Sequence, residues 1–296
     1  MKPLRKAVVT AAGWGTRFLP ATKAQPKEML PLVDKPLVQH IVEEAVASGL
    51  RDIIVVTALG KRAIEDHFDR SFELEYLLQE RGRDALVEVL RGISELANMV
   101  YVRQKAQLGL GHAVLTTRDV VGDEPFAVLL PDDIIKSRIP ATRQLMDVFR
   151  DLGGSVVAVE PVPEEQVSSY GIVETREVRH HVWEVLGLVE KPAPGQAPSH
   201  LGIVGRYILT PEVFEALEQT PPGAGGEIQL TDGLQLLLRR QRIFAYQFEG
   251  TRYDAGTPLG FLKASVALAL QHPELGAEFR QFLRHLDLGH DKGHDS

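Results

Sequence analysis

Gly13, Gly15, Arg17, Lys23, Lys27 and Glu28 all fall within one proline-rich stretch, Ala11 to Pro36, reading AAGWGTRFLPATKAQPKEMLPLVDKP. Glycine lacks the Cβ that would hold a ligand off the backbone, and a loop of oriented N–H groups favours an anion. Arginine meets phosphate oxygens with two parallel hydrogen bonds, and lysine acts as a point charge. Together these residue types describe a cradle for a polyphosphate, although the five-residue glycine core taken alone reads better as an ordinary turn with solvated charges. Two familiar cradles do not fit. A dinucleotide fingerprint needs a third glycine where Phe18 stands, and Pro20 opposes a helix opening directly behind the loop. A Walker-type loop needs Lys then Ser or Thr after the second glycine, whereas Gly15 is followed by Thr16-Arg17.

A second group is Asp132 and Asp133, which follow the apolar run Phe126 to Leu130. Two carboxylates at the carboxyl end of a strand beside a phosphate cradle suit Mg²⁺, which takes oxygen ligands and usually one or two carboxylates plus substrate phosphates. A turn or a helix N-cap is the competing use of the same residues.

The elements that must position these groups read as strand, helix, strand. The apolar run Ala7 to Thr10 leads into the glycine loop, Leu37 to Ser48 carries one apolar face, and Asp52 to Thr57 is apolar throughout, as a parallel strand covered on both faces would be. This order predicts a doubly wound α/β fold with a mostly parallel central sheet and ligands at the strands' carboxyl ends. Lys61 to Phe68, Phe72 to Arg81 and Asp84 to Leu96 read as helices with solvated charge pairs, and Met99 to Arg103 as a strand ending at Gln104. Beyond the helix Ala141 to Leu152 and the strand Ser155 to Glu160, the runs Gly171 to Thr175, Val182 to Glu190 and Ile203 to Leu209 are β-branched and separated by loops. They predict an additional sheet over the substrate pocket.

Pro221 to Gly226 reads as a mobile connector, followed by Glu227 and a helix from Gln229 to Arg239. Arg242 to Gln247 is the last strand, and Leu259 to Leu270 and Glu274 to Leu286 are closing helices with apolar stripes. A single domain spanning 1–289 is expected, with a first half of about 1–152, a second half with C-terminal helices of about 153–289, and a solvated, disordered tail at 290–296.

The chain has 296 residues, a net charge of −7 and no cysteine. Acidity argues against nucleic acid or an anionic membrane as partner, and the lack of cysteine excludes disulfides, thiolate metal sites and a Cys nucleophile. No apolar run approaches the ~20 residues of a membrane span, and MKPLRKAVVT is too poor in apolar residues for a signal peptide. A cytoplasmic protein is expected.

The run GWGTRFLPATKAQPKEMLPLVDKP closely resembles the signature of the bacterial UTP–glucose-1-phosphate uridylyltransferases, within the sugar nucleotidyltransferase family. The resemblance continues through VRQ at Val102, GLGHA from Gly109, LPDD from Leu130, SYGIVE from Ser169, VEKP from Val189, IVGRY from Ile203, GEIQLTD from Gly226 and YDAGT from Tyr253. It implies a Rossmann-like fold and the conversion of UTP and glucose 1-phosphate to UDP-glucose and pyrophosphate with Mg²⁺. It carries nucleotide contacts onto Ala11, Ala12, Gly13, Gly15, Thr16, Glu28, Gln104, Gly109, Gly111 and Asp133. Gln104 becomes the base-reading amide, whose paired donor and acceptor suit uracil, with Gly109 and Gly111 letting backbone approach the ring. Asp133 turns toward nucleoside or sugar. Sugar contacts fall on Gly171, Glu190, Lys191, Val204 and Glu227, with Lys191 on the sugar phosphate.

Asp132 and, as in relatives of this fold, Asp254 would hold the metal. Arg17 would meet the departing pyrophosphate and Lys27 the triphosphate. Three bland uses remain beside these: an N-cap for Asp254, a helix-dipole partner for Glu227, and a surface ion pair for Glu190 with Lys191. The closing helices would make subunit contacts in a homodimer or homotetramer. A thymidylyl- or adenylyltransferase and a non-catalytic regulatory relative are the rival functions, with a nicotinamide dehydrogenase weakened by Phe18.

Overall fold

Short β-branched runs alternating with amphipathic helices produce thirteen strands in the computed structural model, which describes residues 2–286. The tail expected at 290–296 lies outside the described residues. In chain order the strands are β1 (Lys6–Thr10), β2 (Pro31–Leu32), β3 (Lys35–Pro36), β4 (Asp52–Thr57), β5 (Asn98–Arg103), β6 (Phe126–Leu129), β7 (Asp133–Lys136), β8 (Ser155–Pro161), β9 (Gly171–Arg179), β10 (Val182–Glu190), β11 (Leu201–Leu209), β12 (Ile243–Gln247) and β13 (Thr251–Asp254).

Nine of these form one sheet in the order β5-β4-β1-β6-β11-β8-β12-β10-β9. β5, β4, β1 and β6 are mutually parallel. β11 runs antiparallel to both its neighbours, β8 and β12 are parallel, and β10 and β9 close the edge antiparallel. The parallel character is therefore that of the N-terminal half. The three β-branched runs of the second half do not build a sheet of their own. They join the same sheet, and β11 sits at its centre because it is buried from Gly202 to Leu209, which only a strand flanked on both sides and covered on both faces can be.

Successive residues of the parallel strands point to opposite faces. Ala7, Val9, Ile53 and Val55 meet the helices Leu37–Ala47 and Ala141–Leu152 on one side. Val8, Ile54 and Val56 meet Leu110–Leu115, Glu212–Glu218 and Leu230–Leu237 on the other. This is the doubly wound arrangement. It places the ends of β1, β5 and β6, and hence the glycine loop, Gln104 and Asp132, along one edge. A separate two-stranded ribbon of β7 and β13 pairs Asp133 with Asp254 across the fold. No helix among the described residues is long and apolar enough to cross a membrane.

Candidate active site

The glycine loop is anchored where β1 ends, with the Ala11 N–H donating to the Val56 carbonyl at 2.8 Å. Gly15 adopts a left-handed conformation (φ 67°), and a Cβ there would lie 3.2 Å from Lys27 Cβ. The turn requires glycine for both reasons. Thr22 Oγ1 donates to the Gly15 carbonyl at 2.8 Å and folds the segment back, so that Lys27 lies beneath the loop. Arg17 is exposed and makes no side-chain hydrogen bond or ion pair among the described residues. The loop borders a cleft of about 500 Å³. Ala12, Gly13, Gly15, Thr16, Lys27, Glu28, Gln104, Gly109, Asp132 and Glu227 line it together with Thr10, Trp14, Gln107, Leu110, Ala113, Leu130 and Pro131, whereas Ala11, Gly111 and Asp133 do not.

Lys27 Nζ lies 2.6 Å from Asp132 Oδ2 at the floor of this cleft. Burial works against the Lys27 ammonium, but the Asp132 and Glu28 carboxylates together hold its pKa above the ordinary value. Burial likewise opposes ionised Asp132, and Lys27 and Arg17 outweigh it, keeping that carboxyl below its usual range. Glu28 is buried against Lys61 at 2.6 Å, and burial pushes its carboxyl pKa up despite the two lysines. Its second oxygen, Oε1, has no partner among the described residues.

Asp254 comes to the same place through the β7–β13 ribbon. A Cβ added at Gly256 would lie 2.8 Å from Asp132 Oδ2 and 3.0 Å from Asp254 Oδ1, so the two carboxylates flank one point that only glycine leaves open. Thr257, not Asp254, caps the helix Pro258–Gln271, its side chain accepting from the Gly260 N–H. The Asp254 carboxylate accepts instead from the Gly256 N–H at 2.9 Å. No third carboxylate or imidazole joins this pair among the described residues. Two hard oxygen donors facing a phosphate cradle match a Mg²⁺ ion that completes its shell with water and substrate.

At the far end of the cleft, the Gln104 amide group donates to the Gly109 carbonyl at 3.2 Å and meets His112 Nδ1 at 2.9 Å. Both its donors are therefore used inward, which leaves the amide oxygen, not the expected donor and acceptor together, for a base. The glycines beside it also differ from expectation. A Cβ at Gly111 would lie 2.7 Å from the Ile228 carbonyl oxygen, and one at Gly109 2.8 Å from Glu227 Cβ. Protein, not a ligand ring, fills the space at Gly111, because the segment 227–229 is pinned there by the Ile228 N–H to Leu108 O (2.7 Å) and the Gly111 N–H to Ile228 O (2.9 Å). Glu227 is extended (φ −92°, ψ 141°) and precedes the helix Leu230–Leu237, so it is cleft wall, not helix turn.

Three of the residues expected around the sugar, Gly171, Glu190 and Lys191, form a second cluster, whereas Glu227 lies in the wall of the first cleft. A Cβ at Gly171 would meet Thr231 Oγ1 at 2.7 Å and Glu190 Oε2 at 3.2 Å. Lys191 leaves β10 with φ 47°, a rare conformation for a lysine, and this turn brings its Nζ within 3.4 Å of Glu190 Oε1. Thr231 is a member of this cluster that residue-type reasoning passes over, since a threonine inside a helix announces nothing.

Two assignments need correction. The Val204 side chain is buried in the hydrophobic core and offers a sugar only its main chain. Asp133 does not face nucleoside or sugar: Gly205 N–H donates to its Oδ2 at 3.0 Å, and Arg252 donates to its Oδ1. The register of β11 against β8 shifts between Ile203 and Tyr207, and in that stretch Gly205 and Arg206 meet the Asp132 loop. Arg206, wholly buried and paired with Glu44, donates to the carbonyls of Leu130, Gly205 and Asp133. Neither Arg206 nor Arg252 is marked in the sequence by any spacing.

Residues 6–271 match the family model described as Nucleotidyl transferase. A UTP–glucose-1-phosphate uridylyltransferase of Staphylococcus haemolyticus (strain JCSC1435) is 53% identical over 286 residues, covering 97% of this chain and 99% of that protein. The chain belongs to the UTP–glucose-1-phosphate uridylyltransferase family. A second uridylyltransferase, from Staphylococcus epidermidis (strain ATCC 35984), is 52% identical over 288 residues, covering 97% of this chain and all of that one. Among solved structures, this uridylyltransferase-family chain is similar to a UDP-glucose pyrophosphorylase complexed with UDP-glucose (44% identity, TM-score 0.83, 91% of this chain and 100% of that one). It is similar also to a UTP-bound UGPase from Acinetobacter baumannii (40% identity, TM-score 0.88, 96% of this chain and 100% of that one).

Proposed function

We propose that this chain transfers UMP from UTP to glucose 1-phosphate, giving UDP-glucose and pyrophosphate. A phosphate oxygen of the sugar phosphate attacks the α-phosphorus in line, the bond from α-phosphorus to the bridging oxygen breaks, and pyrophosphate leaves with that electron pair. The attacking oxygen is already ionised at neutral pH, so no general base is needed. Charge is the obstacle: each unit pair at about 4 Å repels by ~4 kcal/mol at an effective dielectric of ~20.

The observation that carries this reading is the placing of the Lys27–Asp132 pair and the glycine loop that bears Arg17 around one cleft. Lys27 pairs with Asp132 at its floor, Arg17 is exposed on the loop with no side-chain partner among the described residues, and Lys191 belongs to the separate cluster at Gly171. Arg17 meets the departing pyrophosphate, Lys27 the triphosphate and Lys191 the incoming phosphate. In this reading, the Gln104 oxygen accepts from uracil N3–H, and Glu28 Oε1, also without a partner, lies in the same wall. Asp132 and Asp254 would hold Mg²⁺, whose positive charge offsets that building on the α-phosphate. Gly171, Glu190 and Glu227 bind the sugar.

The enzyme works in the cytosol, where its substrates are, and as a homo-oligomer joined through its C-terminal helices, whose Leu259, Leu262 and Phe282 are largely exposed. Pyrophosphate release from UTP, dTTP and ATP with a panel of hexose 1-phosphates tests the assignment: UTP with glucose 1-phosphate should be the best pair by at least tenfold in kcat/KM. A preference for dTTP or ATP would transfer it to the sister reactions.

A further inference from the structure

Arg252 holds an unusual position between the two halves of the site. It lies on β13 two residues before Asp254, and its side chain is nearly wholly buried. Its Nε donates to Asp133 Oδ1, and its Nη1 donates to Glu160 and, at 3.2 Å, to the Tyr170 hydroxyl. The guanidinium also sits over the Tyr170 ring, 5.4 Å from its centroid. Asp133 adjoins Asp132 in sequence and faces Asp254 across the ribbon. Tyr170 precedes Gly171, and its carbonyl accepts the Lys191 N–H at 3.0 Å. One planar group therefore touches the neighbour of both metal-side carboxylates and the residue that carries the sugar-side backbone.

We propose that Arg252 is a positioning residue that sets the sugar-phosphate cluster, through Tyr170, in register with the Asp132–Asp254 pair. The inference rests on the uridylyl-transfer reading and names a residue that makes no contact with substrate. A buried ion pair adds little net stability compared with well-packed apolar groups, whereas a fixed fork of donors defines relative position well. The two ends are not equally dependent on it. The Asp132 loop keeps Arg206 on its carbonyls and the Gly205 N–H on Asp133 if Arg252 is lost. Tyr170 Oη has no other side-chain partner among the described residues. Loss of Arg252 should thus be felt at the incoming sugar phosphate and not at UTP.

The test uses Tyr170→Phe, Arg252→Lys and the double variant, with the wild-type reaction of UTP and glucose 1-phosphate as reference. Four quantities are read: kcat/KM for glucose 1-phosphate at saturating UTP, Kd of Mg-UTP by calorimetry, Kd of UDP-glucose, and Tm. Tyr170→Phe should lower kcat/KM for glucose 1-phosphate roughly fivefold, the size of one lost hydrogen bond, with Tm and the UTP Kd unchanged within twofold. Arg252→Lys should lower it by more, and the double variant should match Arg252→Lys alone, because both changes cut the same link. Equal losses at UTP and sugar phosphate, no loss in Tyr170→Phe, or additive losses in the double variant would each overturn the proposal. If Arg252→Lys fails to fold, Tyr170→Phe, which keeps the ring, decides alone. Should the wild type not turn over UTP with glucose 1-phosphate, the functional reading fails first, which is a different result from a working wild type whose Tyr170→Phe variant is indistinguishable from it.

Discussion

Lys27 and Asp132 neutralise one another at 2.6 Å, and the substrate's phosphates and a divalent ion would compete for each of them. Asp132→Ala should lower turnover by roughly 10²-fold or more, as loss of a preorganised electrostatic group does, and circular dichroism should show a folded protein. Arg17→Ala should cost as much turnover with less effect on Tm, because Arg17 is exposed and has no side-chain partner among the described residues. Gln104→Leu removes the one amide atom left open to a base and should raise KM for UTP by about tenfold, the equivalent of ~1.4 kcal/mol, with a smaller change in kcat. Arg17, Lys27 and Asp132 could be singled out by residue type, because Arg17 and Lys27 share the proline-rich stretch after β1 and Asp132 follows the apolar strand β6. Asp254, Arg252 and Thr231 were harder to read, since what makes them matter is a pairing across the ribbon or a contact with Gly171, and neither leaves a local pattern. Gly111 was misread for a different reason: the lack of a Cβ reveals that something comes close, not whether it is a ring or Ile228.

Helices Phe72–Glu80 and Asp84–Ser94 are clasped at Glu75, which accepts from Arg70 and Arg91. The hydrogen bond from Arg70, with further help from Arg91 and against burial, holds the Glu75 carboxyl at about 2, below its ordinary 4.5. A depressed acid contributes stability that is complete above pH 4.5 and is lost as pH falls to 2. Glu75→Gln should accordingly lower Tm at pH 7, and its deficit against wild type should close between pH 4.5 and 2. A deficit constant across that range would mean the clasp acts through packing. Gly111→Ala drives a Cβ into the Ile228 carbonyl and should lower Tm while raising KM, since segment 227–229 must shift and Glu227 with it. The strand–helix–strand order of the first half was fully readable from apolar runs. The place of β11 was not, because strand order within a sheet depends on which edges remain to be covered, and Ile203–Leu209 looks the same at a centre as in a separate layer.

One nine-stranded sheet carries both the glycine loop and the Gly171 cluster, so the two proposed halves of the site share a single scaffold. For the proposed homo-oligomer joined through the closing helices, Leu262→Glu should give a smaller species than wild type in sedimentation velocity; equal masses for the two would contradict that contact. The most direct measurement of the whole scheme is pyrophosphate release from UTP and glucose 1-phosphate, with and without Mg²⁺, by wild type and Asp132→Ala in parallel. Release that needs both substrates and Mg²⁺, and that falls at least 10²-fold in the variant, is the expected result. Near-normal release by folded Asp132→Ala, or release independent of the divalent ion, would contradict it.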